Sequence, residues 1–209
     1  MKAEDDNYSK LQTLILIRKH TDLTYYSILK GYRNPDKRFT IKLKTGEKIK
    51  NVRLRDVANI SVLLEHGWSV SEESENLLTV GNDRGISIIC RLMKGYDLGH
   101  LIEIFINKVY GTDFAGKNVI DVGASNGDSS ISFAIMGAKK VVGIEPFPES
   151  FGLAQRNIFQ SRLESKIVAL NKAISGCRGK PISSSTPITQ MQILLTLKTW
   201  SNWMTKRKR

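Results

Sequence analysis

With 209 residues, 41% hydrophobic and 25% charged, the chain has the composition of a folded protein of roughly one to one and a half average domains, neither disordered nor collagen-like. Its apolar runs fall far short of the ~20 residues of a membrane span, no signal-peptide block opens it, and Cys90, Cys177 and the histidines form neither a disulfide framework nor a zinc motif, so a cytoplasmic protein is expected. The formal charge of +12 is uneven: residues 165–209 carry nine Lys and Arg and no acid, so 181–209 reads as a mobile basic tail able to meet nucleic acid or anionic lipid.

Residues 7–30 read as one helical stretch with a ragged apolar face of Leu11, Leu14, Ile15, Leu23 and Ile28, ended by Gly31 and Asn34-Pro35. Tyr25 and Tyr26 are expected to pack within it. Alternation on both sides of Thr45-Gly46-Glu47 predicts a hairpin from Phe39 to Leu54. A helix follows over Arg55 to His66, stopped by Gly67. Leu77 to Val80 and Ile86 to Leu92 pair as strands across a glycine-rich turn. Leu98 to Tyr110 is amphipathic, with Leu98, Leu101, Ile102, Phe105 and Val109 on one face. This is a mixed α+β region, 1–110.

From 111 to 180 the pattern changes. A strand over Lys117 to Val122 runs into Gly123-Ala-Ser-Asn-Gly127 and a helix from Asp128. Strand Val141 to Ile144, a helix from Glu149, and strand Ile167 to Leu170 follow. That succession predicts a βαβαβ unit of a parallel, doubly wound α/β sheet. After Lys180 the rhythm stops.

The strand-to-helix turn carries the chemistry. Glycines there admit a ligand close to the backbone, and free amides at the helix start favour an anionic group. A dinucleotide asks for Gly-x-Gly-x-x-Gly, but Ser125 and Asp128 occupy the second and third glycine positions, and an acid there repels pyrophosphate. S-adenosylmethionine has no phosphate and a cationic portion, so the looser Asp121-Val-Gly123-Ala-Ser-Asn-Gly127-Asp128 turn suits it better. Glu145 ends the second strand, where a carboxylate can accept both ribose hydroxyls. Pro146 and Phe147 can wall the adenine.

These segments, with Phe133-Ala, Gly137-Ala-Lys-Lys-Val, Glu145-Pro-Phe-Pro, Asn157-Ile and Asn171-Lys-Ala-Ile, resemble the FkbM-type class I methyltransferases. The resemblance implies a Rossmann-like core, S-adenosyl-L-methionine as methyl donor, and O-methylation of a sugar, glycan or other small hydroxyl acceptor. By that pattern Asp121, Gly123 and Gly127 shape the methionine pocket. Ser125, Asn126 and Asp128 line it, Glu145 holds the ribose, and Asn171 to Ala173 lie near the adenine edge.

The chain departs from the family's pattern after Lys180, where the later strands and the acceptor half are missing from the text. The core therefore reads as a partial one, C-terminally truncated or frame-shifted, with no catalytic base named. A non-catalytic cofactor- or partner-binding remnant and a nucleic-acid methyltransferase using the basic tail are the alternatives. An uncovered strand edge would also favour self-association. His20, His66 and His100 have no nucleophile or base in sequence reach. Trp200 and Trp203 beside the basic end can stack on bases or sit at a lipid interface.

Overall fold

The computed structural model describes residues 8–92 and 96–174; Cys177, Trp200, Trp203 and the expected basic tail lie outside the described residues. The expected first helix is two: α1 (Lys10–His20) and α2 (Tyr25–Arg33). Thr21 splits them. Its hydroxyl donates to the Ile17 carbonyl at 2.8 Å, its backbone bridges to Leu43, and the Thr24 side chain then caps a new helix by accepting from the Ser27 amide. The core face also differs from the expectation: Leu16 and Ile17 are buried, while Leu11, Ile15, Tyr25 and Tyr26 are exposed. Gly31 does not end the helix. It lies inside α2, where a Cβ would stand 2.9 Å from Leu54 Cδ2, and Asn34 is the cap.

The hairpin forms as expected, β1 (Arg38–Lys42) antiparallel to β2 (Lys48–Arg53). Helix α3 (Leu54–Glu65) follows, burying Val57, Ile60 and Leu63, and stops where Gly67 takes a φ of 78°. Next come β3 (Ser69–Ser74), β4 (Leu77–Gly81) and β5 (Ser87–Arg91), an antiparallel sheet in that order. Strand β3 is absent from the sequence reading because Val70 is its one buried residue; an edge strand with one apolar anchor carries no alternation to read. Helix α4 (Asp97–Leu101) runs into a turn of π-helix over Ile102–Ile106. Leu98 and Leu101 are buried as expected, but Val109, beyond the π-turn, is exposed.

The second half is α/β and Rossmann-like: β6 (Asn118–Val122), α5 (Asp128–Ile135), β7 (Lys140–Ile144), α6 (Pro148–Gln160) and β8 (Ile167–Leu170), in the order the sequence predicts. The three strands are parallel, with β7 between the other two. Strand β7 is buried from Val141 to Ile144 because it is covered on both faces. Helix α5 lies so near it that a Cβ on Gly143 would stand 2.7 Å from Ser130 Oγ. Among the described residues β6 pairs with β7 alone, and Val122 is 62% exposed.

The two halves share one hydrophobic cluster, running from Ile17 and Ile60 through Leu78, Ile88 and Leu101 to Ile131, Val141 and Ile158. The seam is also hydrogen-bonded: Asn157 of α6 accepts from the Ile89 amide at 2.7 Å and donates to the Ile89 carbonyl at 3.2 Å, a strand-like exchange made by a side chain. No described helix is long and apolar enough to cross a membrane.

Candidate functional site

The C-terminal ends of parallel strands are where an open α/β sheet leaves room for a ligand. Here β6 ends in the turn Gly123–Gly127. Gly123 has a φ of 83°, and a Cβ built on it meets nothing within 4 Å. The glycine thus serves the backbone conformation and leaves open space above the turn. Gly127 is different: its φ is 86° and a Cβ would press on Ala154 at 3.2 Å, so it lets α5 and α6 approach. The amides of Gly123 and Ala124 both donate to the Ile144 carbonyl, pinning the turn to the end of β7.

Ser125 takes a φ of 46°, the left-handed region where the dinucleotide fingerprint has glycine. Two bonds hold it there. Its amide donates to Glu145 Oε2 at 2.8 Å, and its hydroxyl accepts from Arg91 Nη2 at 3.1 Å. Glu145 is buried, and its other oxygen accepts from the Phe147 amide at 2.9 Å. The carboxylate thus clamps both loops at the strand ends, leaving one lone pair on each oxygen for a further donor. Asp121 accepts from the hydroxyls of Ser129 and Ser130 at 2.7 and 2.6 Å, fixing the first turn of α5. Asn171 donates to the carbonyls of Glu145 and Pro146 at 2.9 and 3.2 Å. Ala173 is half-buried beyond it. Phe147 stands exposed on the rim, with half-buried Pro146 beside it.

Asn126 and Asp128 point the other way, into the seam with the first half. Asn126 Nδ2 donates to the Ile89 carbonyl at 3.3 Å and to Asp97 Oδ2 at 3.5 Å. Asp128 is buried; desolvation, reinforced by the charges of Asp97 and Asp121, pushes its carboxyl up to about 7, against the pull of the Ser129 amide and Arg91. Among the described residues Asp128 Oδ2 and Asn126 Oδ1 have no hydrogen-bond partner.

The sequence reading missed Arg91 and Asp97, which complete this seam. Asp97 accepts from the Arg91 amide at 2.9 Å, from Nε at 3.0 Å and from Nη2 at 3.1 Å. Arg91 Nη1 donates to Ser150 at the start of α6, 2.8 Å away. One guanidinium therefore ties β5, α4, the glycine turn and α6 together. No spacing announces it, since the residues joined lie up to 59 positions apart. Neighbouring Cys90 is fully buried and its thiol is pushed well up by burial and by Asp97, which makes it inert. No group of His, Cys, Asp and Glu among the described residues could hold a metal ion. A separate groove of about 930 Å³ lies at the C-terminal end of α5, lined in part by His66, Trp68, Arg84, Phe105 and Met136.

No protein-family model matches the chain. A stretch of 55 residues is 38% identical to the ribosomal protein L11 methyltransferase of Carboxydothermus hydrogenoformans, covering 26% of this chain and 18% of that protein. The match thus spans under one fifth of the curated relative's length. Among solved structures, a protein arginine methyltransferase of Arabidopsis thaliana is 28% identical over 34% of this chain and 19% of its own, with a TM-score of 0.28. A SAM-dependent methyltransferase of Agrobacterium tumefaciens is 18% identical over 48% of this chain and 34% of its own, with a TM-score of 0.38.

Proposed function

We propose that the chain binds S-adenosylmethionine at the Gly123–Gly127 turn and serves methyl transfer. One observation carries this reading: an open glycine turn at the end of β6 stands beside a buried carboxylate, Glu145, at the end of the adjacent parallel strand. The 55-residue likeness to a methyltransferase supports it. When bound, S-adenosylmethionine supplies a methyl group activated by its sulfonium. The chain's own residues hold it. Gly123 leaves the space, Asp121 shapes the turn through Ser129 and Ser130, and Ser125 presents its strained backbone toward the methionine portion. Asn126 and Asp128, turned into the seam, brace the turn from behind and do not themselves face the ligand. Glu145 accepts the ribose hydroxyls on its remaining lone pairs, Pro146 and Phe147 flank the adenine, and Asn171 to Ala173 border its edge.

The acceptor follows from the FkbM-type resemblance: a sugar or other small hydroxyl, whose oxygen the enzyme aligns with the methyl and whose proton it removes. The residue that takes the proton is unassigned. Isothermal titration of the full chain is the test. S-adenosylmethionine and S-adenosylhomocysteine bind, NAD does not, and Gly123→Arg, which fills the open space, abolishes binding; tighter binding of NAD sinks the reading. A cofactor-binding chain without turnover is the second reading, favoured by the unpaired outer edge of β6 among the described residues. Transfer of a labelled methyl to glycans or cell extract, lost in Gly123→Arg, decides for the enzyme.

A further inference from the structure

The surface of α1 and α2 departs from what a packed helical pair needs. Leu11 and Ile15 stand on one side of α1, four residues apart, with Arg18 three further along; Tyr25, Leu29 and Tyr32 follow the same spacing on α2. All five apolar or aromatic members are exposed. The Arg18 guanidinium lies 5.3 Å from the centre of the Tyr25 ring, joining the two rows. Tyr26, 66% exposed, carries Lys30 Nζ at 4.4 Å over its ring. Large side chains in a continuous exposed row mark an interaction surface rather than a solvated helix face.

Charge names the kind of partner. Residues 8–55 carry thirteen Lys and Arg against three Asp and Glu, a net of +10, whereas 56–174 carry eleven against fourteen, a net of −3. Neither α1 nor α2 has an acid in its first turn. The excess seen at the C-terminal end of the sequence is therefore matched by a second one, hidden in the sequence total by the acids on either side of it. A second copy of the chain would bring the same positive face and is repelled.

We propose that the α1–α2 face docks the chain on an anionic lipid surface. Nucleic acid would satisfy the cations and stack on the tyrosines, but Leu11, Ile15 and Leu29 gain nothing from a phosphate backbone. At a bilayer interface every member of the row has a place. The aliphatic side chains enter the acyl boundary, the tyrosine rings lie at headgroup depth with their hydroxyls outward, and Arg18, Lys30 and Arg33 meet the phosphates. Each cation held near such a surface raises the affinity roughly five-fold.

Co-sedimentation of the full chain with vesicles tests this, using phosphatidylcholine alone and phosphatidylcholine mixed with phosphatidylserine. Binding is expected only to the mixed vesicles, weakening as salt rises. Two variants address the face: Tyr26→Ser with Leu29→Ser, and Lys30→Gln with Arg33→Gln. All four positions are exposed on α2, so the melting temperature serves as the check on folding. The glutamine pair is expected to lose roughly 25-fold in affinity at low salt. The serine pair is expected to lose at least about five-fold, a loss that salt does not mask. Wild-type binding by both folded variants places the contact elsewhere and overturns the proposal. So does equal binding to phosphatidylcholine alone, and so does single-stranded polyuridylate that displaces the vesicles at equal phosphate.

Discussion

Charge is turned outward over residues 8–55, the first half in this contrast, whereas four carboxylates turn inward from 56 onward, the second. Over 8–55 the cations are mostly exposed, and none of the three acids there is buried. From 56 onward Asp56, Asp97, Asp128 and Glu145 are all buried. Each accepts at least one backbone amide: Arg53 for Asp56, Arg91 for Asp97, Ser129 for Asp128, and Ser125 and Phe147 for Glu145. A buried carboxylate that holds backbone amides is framework, because removing it strands donors that water cannot reach. An exposed lysine has water as its alternative partner. The contrast teaches that charged side chains face solvent over 8–55 and brace the backbone from 56 onward, where Glu145 keeps spare lone pairs for a ligand, and it can be broken by mutation.

The largest effect is expected at Asp97. Asp97→Ala removes three bonds from Arg91 and one from Asn126, and leaves the Arg91 guanidinium, 14% exposed, without its counter-charge. Losing one partner of such a pair costs about 3–5 kcal/mol, read as a lower urea midpoint. Asp97→Asn keeps acceptor oxygen for the Arg91 amide and should cost less. On the other half, Lys30→Ala should change stability by less than about 0.5 kcal/mol. Comparable losses at Asp97 and Lys30 would end the contrast.

Next comes Asp128, whose carboxyl is raised to about 7 by burial. Unfolded, it titrates near its ordinary value of about 4. Between those values the folded chain binds more protons than the unfolded one, so stability falls as pH rises through the window and levels off above it. Between pH 5 and 8 this amounts to roughly 2–3 kcal/mol. Asp128→Asn, which mimics the neutral acid, should flatten that pH profile and make the chain more stable than wild type at pH 8. Parallel profiles for the two proteins would show that Asp128 ionises freely in the fold.

The parallel half was legible because its information is local. Apolar runs Val141 to Ile144 and Ile167 to Leu170, glycines at the turn, and the acid at the end of β7 are all neighbours in sequence, and each element lies where the pattern puts it. The region before β6 hid three features for identifiable reasons. Thr21 bonds back to Ile17 and to Leu43, a tertiary choice that an apolar spacing cannot express. Strand β3 has one buried side chain. Tyr25 and Tyr26 read as packing residues because aromatic side chains usually are, yet the fold turns them outward. At the site, Asp121, Gly123 and Glu145 could be picked out from spacing, while Arg91 and Asp97 could not, since they reach the turn from another sheet and another helix.

The smallest effect is expected where an outward cation meets an acid of the second half. Glu65, on α3, receives Lys19 Nζ at 2.8 Å on both oxygens and His20 Nε2 at 2.7 Å on one, tying the end of α1 to the end of α3. The hydrogen bond from Lys19, then that from His20, lowers the Glu65 carboxyl below its ordinary value. The stabilisation is therefore present above that ordinary value and lost as pH falls through the lowered one. Water stays available to both partners, since the Lys19 side chain is 57% exposed and that of Glu65 30%. The coupling should therefore be below about 1 kcal/mol and shrink as salt is added. A double-mutant cycle of Lys19→Met with Glu65→Gln measures it, the two single variants correcting for lost alkyl packing and lost charge. A coupling above about 2 kcal/mol, unmoved by salt, would be the behaviour of a buried pair. It would mean that the cations of α1 hold the fold together as Asp97 does, and that the outward charge of the first half is not free to meet another surface.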